Sequence, residues 1–197
     1  MSDGVAIASR HRSVRAMTEI VFSRLREEDL DLVRRWRSRA DIEQWMYSPG
    51  PTDADAQRRW FQRVRRDPNS LHWVIRTDSV PVGVIHLEIE PRHRRASIGY
   101  YLGRAELLPI GGLVMAYTLN YAFARDDLAL RKIVGEVFAD NRRVLRLHEL
   151  LGYRVVGTLR DHALKQDGWH DVVVFEIMRE QWDQMRSRLG RYVAPFE

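Results

Sequence analysis

Gly111 and Gly112 stand before a mostly apolar run, Leu113 to Phe123, in which Val114, Tyr117, Leu119, Tyr121 and Ala122 read as helix positions. A glycine pair at a helix start lets an anion reach unpaired backbone N–H groups, so this junction is a candidate phosphate site; a plain tight turn is the other explanation. A second candidate lies in the strand-like segment Lys132 to Ala139. There Glu136 alternates with Val134 and Phe138, which puts its carboxylate on one face with two apolar neighbours, partly withdrawn from water and able to accept a proton. An arginine partner for Glu136 is the structural alternative, and His86 and Glu88 on a neighbouring hairpin are rivals for the same task. The seven histidines include no His-x-x-x-His pair and the chain has no cysteine, so neither a zinc site nor a thiol nucleophile is expected.

These residues need elements to hold them. Ile20-Val21-Phe22 reads as a strand, and Glu27-Glu28-Asp29 supplies acids to the first turn of a helix reaching about Arg39, with Leu30, Val33 and Trp36 as its apolar side. Pro49-Gly50-Pro51 breaks the chain, after which Thr52 or Asp53 can cap a second helix holding Ala56, Trp60, Phe61 and Val64. The period then changes to that of strands: His72 to Arg76, Val82 to Ile89 and Ala96 to Leu102 form an antiparallel meander. After the glycine-started helix come a strand over Lys132 to Ala139, a helix over Arg142 to Leu151 ended by Gly152, and two strands over Tyr153 to Thr158 and Val172 to Met178.

With 197 residues, 45% hydrophobic and 30% charged, the composition fits one soluble globular domain, residues 18–197, after a flexible extension over residues 1–17. No uninterrupted apolar run reaches membrane-spanning length, and Met1 to Ala16 lacks the apolar centre of a secretory signal; a cytoplasmic protein with no membrane partner is the expectation. The net charge of +5 comes from 30 arginines and two lysines, Lys132 and Lys165, spread along the chain. A solvated arginine-rich surface is the first explanation of such a spread, and attraction to an anionic small ligand such as a nucleotide or coenzyme the second, ahead of a nucleic acid, which would call for a massed basic run.

The segment Lys132-Ile-Val-Gly-Glu-Val-Phe-Ala-Asp-Asn141, followed by Arg142 to His148-Glu-Leu-Leu-Gly-Tyr153, resembles the second half of the coenzyme-binding core of the GNAT N-acetyltransferase superfamily. The element order matches that fold from Ile20 to Trp182. Within the superfamily the chain is most similar to the amino-sugar N-acetyltransferases of pseudaminic acid synthesis, which acetylate a nucleotide-linked sugar used to modify flagellin. Trp36-Arg37, Gln44-Trp45-Met46, Arg59-Trp60-Phe61, Ile98 to Leu102, Gly135 to Asn141, Leu147-His148 and Gly168 to Asp171 carry this likeness. One piece departs: the pyrophosphate loop falls on Glu106 to Gly111, with Glu106 and Pro109 where relatives carry a basic or amide residue and a glycine, so one phosphate-facing N–H is lost and weaker coenzyme binding is expected.

The resemblance implies an α/β (α+β) fold. Its mixed central sheet has a V-shaped splay between the fourth and fifth strands and is flanked by about four helices. It also implies acetyl-CoA as co-substrate and direct transfer of acetyl to an amine in a ternary complex. Tyr101 or Leu102 would offer a backbone N–H to the thioester oxygen, Ile110, Gly111 and Gly112 would meet the pyrophosphate, and Asn141 would contact the coenzyme. Glu136 would be the base. His148, where many relatives carry tyrosine, would give the leaving thiolate its proton, unless it is a surface or capping histidine. Where the first two helices face the sheet, Met46, Tyr47, Trp60 and Tyr100 would cover a deoxy-sugar ring and Arg37 a diphosphate, with Asp167 to Asp171 at the rim; for Trp60 and Met46 plain core packing is the competing account. The expected acceptor is a nucleotide-linked amino-dideoxy sugar, and the expected assembly a monomer or homodimer. A ribosomal-protein or peptide N-terminal acetyltransferase of the same fold is the nearer alternative; a silent acyl-CoA binder or nucleic-acid module, retained on DNA in a salt-dependent way, is the distant one.

Overall fold

A computed structural model describes residues 19–51, 53–189 and 196–197. The proposed extension over residues 1–17 lies outside the described residues. Seven strands form one sheet in the order β1-β2-β3-β4-β5-β7-β6. Their spans are β1 Ile20–Arg24, β2 Ser70–Thr77, β3 Val80–Glu90, β4 Arg95–Leu102, β5 Lys132–Phe138, β6 Arg154–Lys165 and β7 Gly168–Met178. The helices are α1 Leu30–Arg37, α2 Ala40–Glu43, α3 Ala54–Val64, α4 Gly111–Ala124, α5 Arg142–Leu150 and α6 Arg179–Leu189.

Strand alternation sorts the sheet into two faces. On one, Val74 and Val84 pack against Leu30, Val33, Trp36, Ile42 and Phe61 from α1, α2 and α3. On the other, Trp73, Ile75, Ile85 and Leu87 bury themselves against Val114, Met115, Leu119 and Phe123 of α4, with α5 and α6 completing the layer. Helix α4 is apolar on most of its circumference because it lies between the sheet and α6, where Trp182 Nε1 donates to Asn120 Oδ1 at 2.9 Å. Together with the 3-10 turn before it, this helical run covers Ala105–Ala124, long and apolar enough to cross a membrane by length and composition; here its apolar residues are spent on the core.

Local chemistry explains the joints. Asp78 and Ser79, both with positive φ, make a two-residue turn, so the β2–β3 hairpin is tighter than the five-residue connection expected from the sequence. Asp53 caps α3 by accepting from the Ala56 N–H at 2.7 Å. Two helices go beyond the expected set. The four-residue α2 is too short to show a period, and α6 carries few apolar residues, with Trp182 as its buried anchor. Strands β6 and β7 are longer than expected, and the chain reverses between Lys165 and Gly168. The stretch Gly168 to Asp171 is therefore strand.

One feature of the ladder creates the site. Strands β4 and β5 run parallel and pair at Arg95–Lys132, Ala96–Ile133 and Ser97–Val134, then separate. Beyond Ser97 the β4 backbone from Ile98 to Leu102 has β3 on one side and an open wedge on the other. The V-shaped splay falls between the fourth and fifth strands, where it was expected.

Candidate active site

A cavity of about 850 Å³ runs through the wedge from one face of the sheet to the other. Its lining shows the passage. His72, His86, Glu88, Ser97, Gly99 and Tyr101 form a floor under α1 and α3, whereas Tyr100, Met115, Val144 and His148 lie on the α4–α5 side.

The first side is built by register. Ser70 pairs with Glu88, His72 with His86, His86 with Gly99, and Glu88 with Ser97, so these polar residues share one face. Ser97 is also the last β4 residue paired with β5, opposite Val134. Gly99 and Glu136, two positions further along their strands, therefore face each other across the opening wedge. Gly99 has to be glycine: a Cβ there would come within 2.3 Å of His86 Cε1, because the imidazole lies over the strand. From above, Arg37 on α1, Tyr47 in the α2–α3 loop, and Gln57 and Trp60 on α3 close the space.

Arg37 is the only cation among the described lining residues. Its Nη2 donates to Ser48 O at 3.0 Å, while Nη1 is buried with no hydrogen-bond partner. Burial lowers its pKa from the ordinary arginine value, against the pull of Tyr101 and Glu43. A buried donor left unpaired in a cavity is costly unless a ligand supplies the acceptor. Trp60 stands edge-on to His72 at 5.2 Å.

Glu136 departs from expectation. It lines the cavity, but its side chain is exposed, since it sits at the rim where β5 has parted from β4. Its Oε2 accepts from Tyr47 Oη at 2.6 Å, linking the α2–α3 loop to β5 across the mouth. Desolvation of the hydroxyl end and the adjacent carboxylate both raise the Tyr47 pKa above its ordinary value. The premise of a carboxylate withdrawn from water is thus corrected, because alternation sets the face of the sheet and not the depth. Glu136→Gln is expected to keep both kcat and the acceptor KM within about threefold, since the amide oxygen still accepts from Tyr47; steady-state kinetics check this.

His148 does turn toward the cavity on the other face, where a Cβ at Gly135 would lie 3.2 Å from its Nε2. Its Nδ1 is 2.8 Å from Val144 O. A carbonyl only accepts, so Nδ1 carries the hydrogen and neutral His148 offers Nε2 as an acceptor. Burial lowers its pKa despite that bond, and only 4% of the residue is exposed. This corrects the proton-donor reading. His148→Phe is expected to leave kcat within about threefold and to cost about 1 kcal/mol of stability for the lost Val144 bond; single-turnover rates and thermal melts measure both.

Tyr100 belongs with His148 rather than with the sugar-facing residues, because alternation turns it away from Gly99 and Tyr101. Its hydroxyl would lie 2.7 Å from a Cβ at Gly111, which explains that glycine, and burial pushes its pKa up to about 12 against the opposing charge of Arg143. The phosphate cradle is altered as well. A 3-10 turn, Ala105–Ile110, runs straight into α4, Pro109 lies inside it, and the Gly111 N–H is donated to Leu108 O. Gly111 and Gly112 open α4 as expected, but the helix follows directly on the 3-10 turn, and neither they nor Ile110 line the cavity. Leu102 is buried in the core, while Tyr101 and Asn141 line the cavity, Asn141 also capping α5 through Val144 N at 3.3 Å.

Asp167 to Asp171 do not line the cavity. The hairpin reaches the acceptor loop through Lys165 instead, whose Nζ donates to Glu43 O at 3.1 Å and Met46 O at 2.7 Å. Met46 and Tyr47 are thereby held over the cleft. Reasoning from sequence missed His72, Ser70 and Gln57. Alternation would have put His72 and Val74 on one face, but nothing local reveals that Ser70 pairs with Glu88.

Residues 19–154 match the sequence profile described as the Acetyltransferase (GNAT) domain. The chain belongs to the GNAT acetyltransferase family. It is an acetyl-CoA-dependent N-acetyltransferase, transferring acetyl to an amine. Acetyltransferase PseH of Campylobacter jejuni (serotype O:23/36, strain 81-176) is 25% identical over 128 residues, 65% of this chain and 78% of the relative. Phosphinothricin N-acetyltransferase of Streptomyces viridochromogenes is 27% identical over 128 residues, 61% and 68% of the two chains. Among solved structures, spermidine N-acetyltransferase from Vibrio cholerae, in complex with CoA and spermine, superposes with a TM-score of 0.76 at 19% identity, over 83% of this chain and 98% of that one.

The wedge fits what a GNAT enzyme must bind. Unpaired strand edges at Ile98–Leu102 and Gly135–Phe138 are free to hold an extended amide-bearing arm, and the apolar Ile98, Met115 and Val144 flank the same passage. Acetyl-CoA supplies an activated acyl group, and the protein has to hold the developing oxyanion and manage two protons. Backbone N–H groups of β4 on the wedge side, near Tyr101, suit the first requirement.

Proposed function

We propose that the acceptor is the amine of a nucleotide-linked amino-dideoxy sugar, of the UDP-4-amino-4,6-dideoxy type, and that the product serves flagellin glycosylation. The observation that carries this reading is the buried, unpartnered Nη1 of Arg37 at the acceptor side of the cavity. A guanidinium there suits a diphosphate, with which it makes charge-assisted bonds, while Trp60, Met46 and Tyr47 supply flat and apolar surface for a deoxy-sugar. The likeness to PseH of Campylobacter jejuni supports the same class. A polyamine, such as the spermine held by the Vibrio cholerae structure, would bring cations toward this arginine and is disfavoured. The reading carries with it a cytoplasmic location, where sugar nucleotides and acetyl-CoA are made.

The test is a thiol-release assay with acetyl-CoA over a panel of amines: the UDP-linked 4-amino-4,6-dideoxy sugar, the free amino sugar, spermidine, phosphinothricin and a short peptide with a free N-terminus. The UDP-sugar should give the highest kcat/KM, by at least tenfold over the free sugar. A higher value for spermidine, phosphinothricin or the peptide would overturn the reading.

A further inference from the structure

The cavity floor holds a cluster of four polar side chains to which neither the family membership nor the choice of acceptor assigns a role. Ser70 Oγ donates to Glu88 Oε1 at 2.7 Å and lies 2.9 Å from His72 Nε2, which is itself 3.3 Å from Glu88 Oε1. The serine hydrogen is committed to the carboxylate, so the contact to His72 is made by the His72 Nε2–H, and Ser70 and His72 together hold one carboxylate oxygen. The His72 ring stacks on that of His86, with centroids 5.3 Å apart and an interplanar angle of 24°. His86 in turn lies over Gly99, one pair beyond Ser97 in the β3–β4 ladder and just where β4 and β5 part.

We propose that Glu88 and His86 are the amine-binding and proton-accepting residues of the transfer, with Ser70 and His72 as positioning residues. Glu88 lines the cavity and receives the acceptor ammonium. The imidazole of His86 relays one proton from it to solvent without retaining it. The freed nitrogen lone pair forms the C–N bond to the acetyl carbon, the C–S bond breaks with its electrons leaving on sulfur, and the second nitrogen proton ends on the thiolate. An ammonium and a thioester thus become an amide, a thiol and one released proton, with no further reactant.

Electrostatics agree with this assignment. Burial would raise the Glu88 pKa, but hydrogen bonds from His72 and Ser70 and the charges of His86 and His72 outweigh it and hold the carboxyl below its ordinary value. Burial, His72 and Arg37 depress His86 to about 4 against the pull of Glu88, so the ring is neutral at physiological pH and, as a weak base, passes a proton on without holding it. The other titratable groups on the cavity lining near it are Tyr101 on β4, Glu136 on β5 and Tyr47 in the loop above. The proposal rests on acetyl transfer to an amine and not on which amine is used.

The deciding variant is Glu88→Gln, which is isosteric at a partly exposed position and folds if the acetyl-CoA Kd, measured by calorimetry, equals that of the wild type. For every amine of the panel that the wild type acetylates, Glu88→Gln should lower kcat/KM by 10² to 10⁴-fold at pH 7, and the loss should shrink as pH approaches the amine's own pKa. Ser70→Ala should shift the acidic limb of the pH–rate profile with a smaller loss. Rates within threefold of wild type at pH 7 would overturn the assignment, whichever amine is used. A second arm needs no turnover. In histidine-labelled protein, ethanolamine hydrochloride as probe should move the ring signals of His72 and His86, and should not do so in Glu88→Gln. Equal shifts in both proteins, or none in either, would overturn it as well.

Discussion

Arg37→Met will raise the KM for a UDP-linked amino sugar by roughly 30 to 150-fold and leave the KM for acetyl-CoA unchanged. The range follows from losing a charge-assisted hydrogen bond worth about 2–3 kcal/mol. The free amino sugar, which has no diphosphate to lose, should be acetylated by the variant and the wild type with equal kcat/KM. Arg37→Lys keeps the charge and loses the two-pronged geometry, so it should fall between the two. Arg37 Nη2 also holds Ser48 O, so the variant loosens the α2–α3 loop. The free-sugar control separates that effect from the ligand contact, because a loosened loop would slow both acceptors alike. An equal loss for both acceptors would remove the diphosphate role.

Acidification from pH 7 to pH 5 will destabilise the protein by about 2 kcal/mol through His86 alone. The folded state depresses this histidine from 6.5 to about 4, mainly by burial. Between those values the unfolded chain binds a proton that the folded chain refuses, so stability is complete above 6.5 and is lost progressively as pH falls toward 4. For a chain of this size the loss corresponds to a Tm lower by roughly 4–8 °C. His148, also depressed by burial, adds a loss of the same sign. The depressed carboxyl of Glu88 acts at lower pH, below the ordinary carboxylate range. Thermal melts across this window, compared with those of His86→Asn, measure the effect. A variant whose Tm falls as steeply as that of the wild type would assign the loss to other groups.

The pattern of apolar residues determined most of the strands and the long helices, because a period of two or of 3.6 follows from local geometry alone. The strand around Glu136, the helix from Arg142 and the meander from His72 to Leu102 were all legible. So were the membership of the family and the splay, through motifs spread along the chain in order. Helix α6 was not, since a polar helix held by Trp182 is defined by the surface it lands on.

Depth and partnership were decided only by the tertiary structure. Alternation placed Glu136 on the correct face but could not show that β5 has parted from β4 there, which exposes it. The same periodicity could have separated Tyr100 from Gly99 and Tyr101, yet without the sheet there was no knowledge of which face met which helices. Gly111 and Gly112 open α4, but the 3-10 turn over Ala105–Ile110 runs straight into it, so the Gly111 N–H expected to meet a phosphate is already donated to Leu108 O. The Ser70–His72–Glu88–His86 cluster depends on the register of β2 against β3. That register is set by an irregularity between Ile75 and Arg76, which shifts the pairing by one residue from the one begun at the Asp78-Ser79 turn, and by the burial of Trp73, Ile75, Ile85 and Leu87 on the opposite face. A slip of one residue would have turned every one of those side chains to the other side.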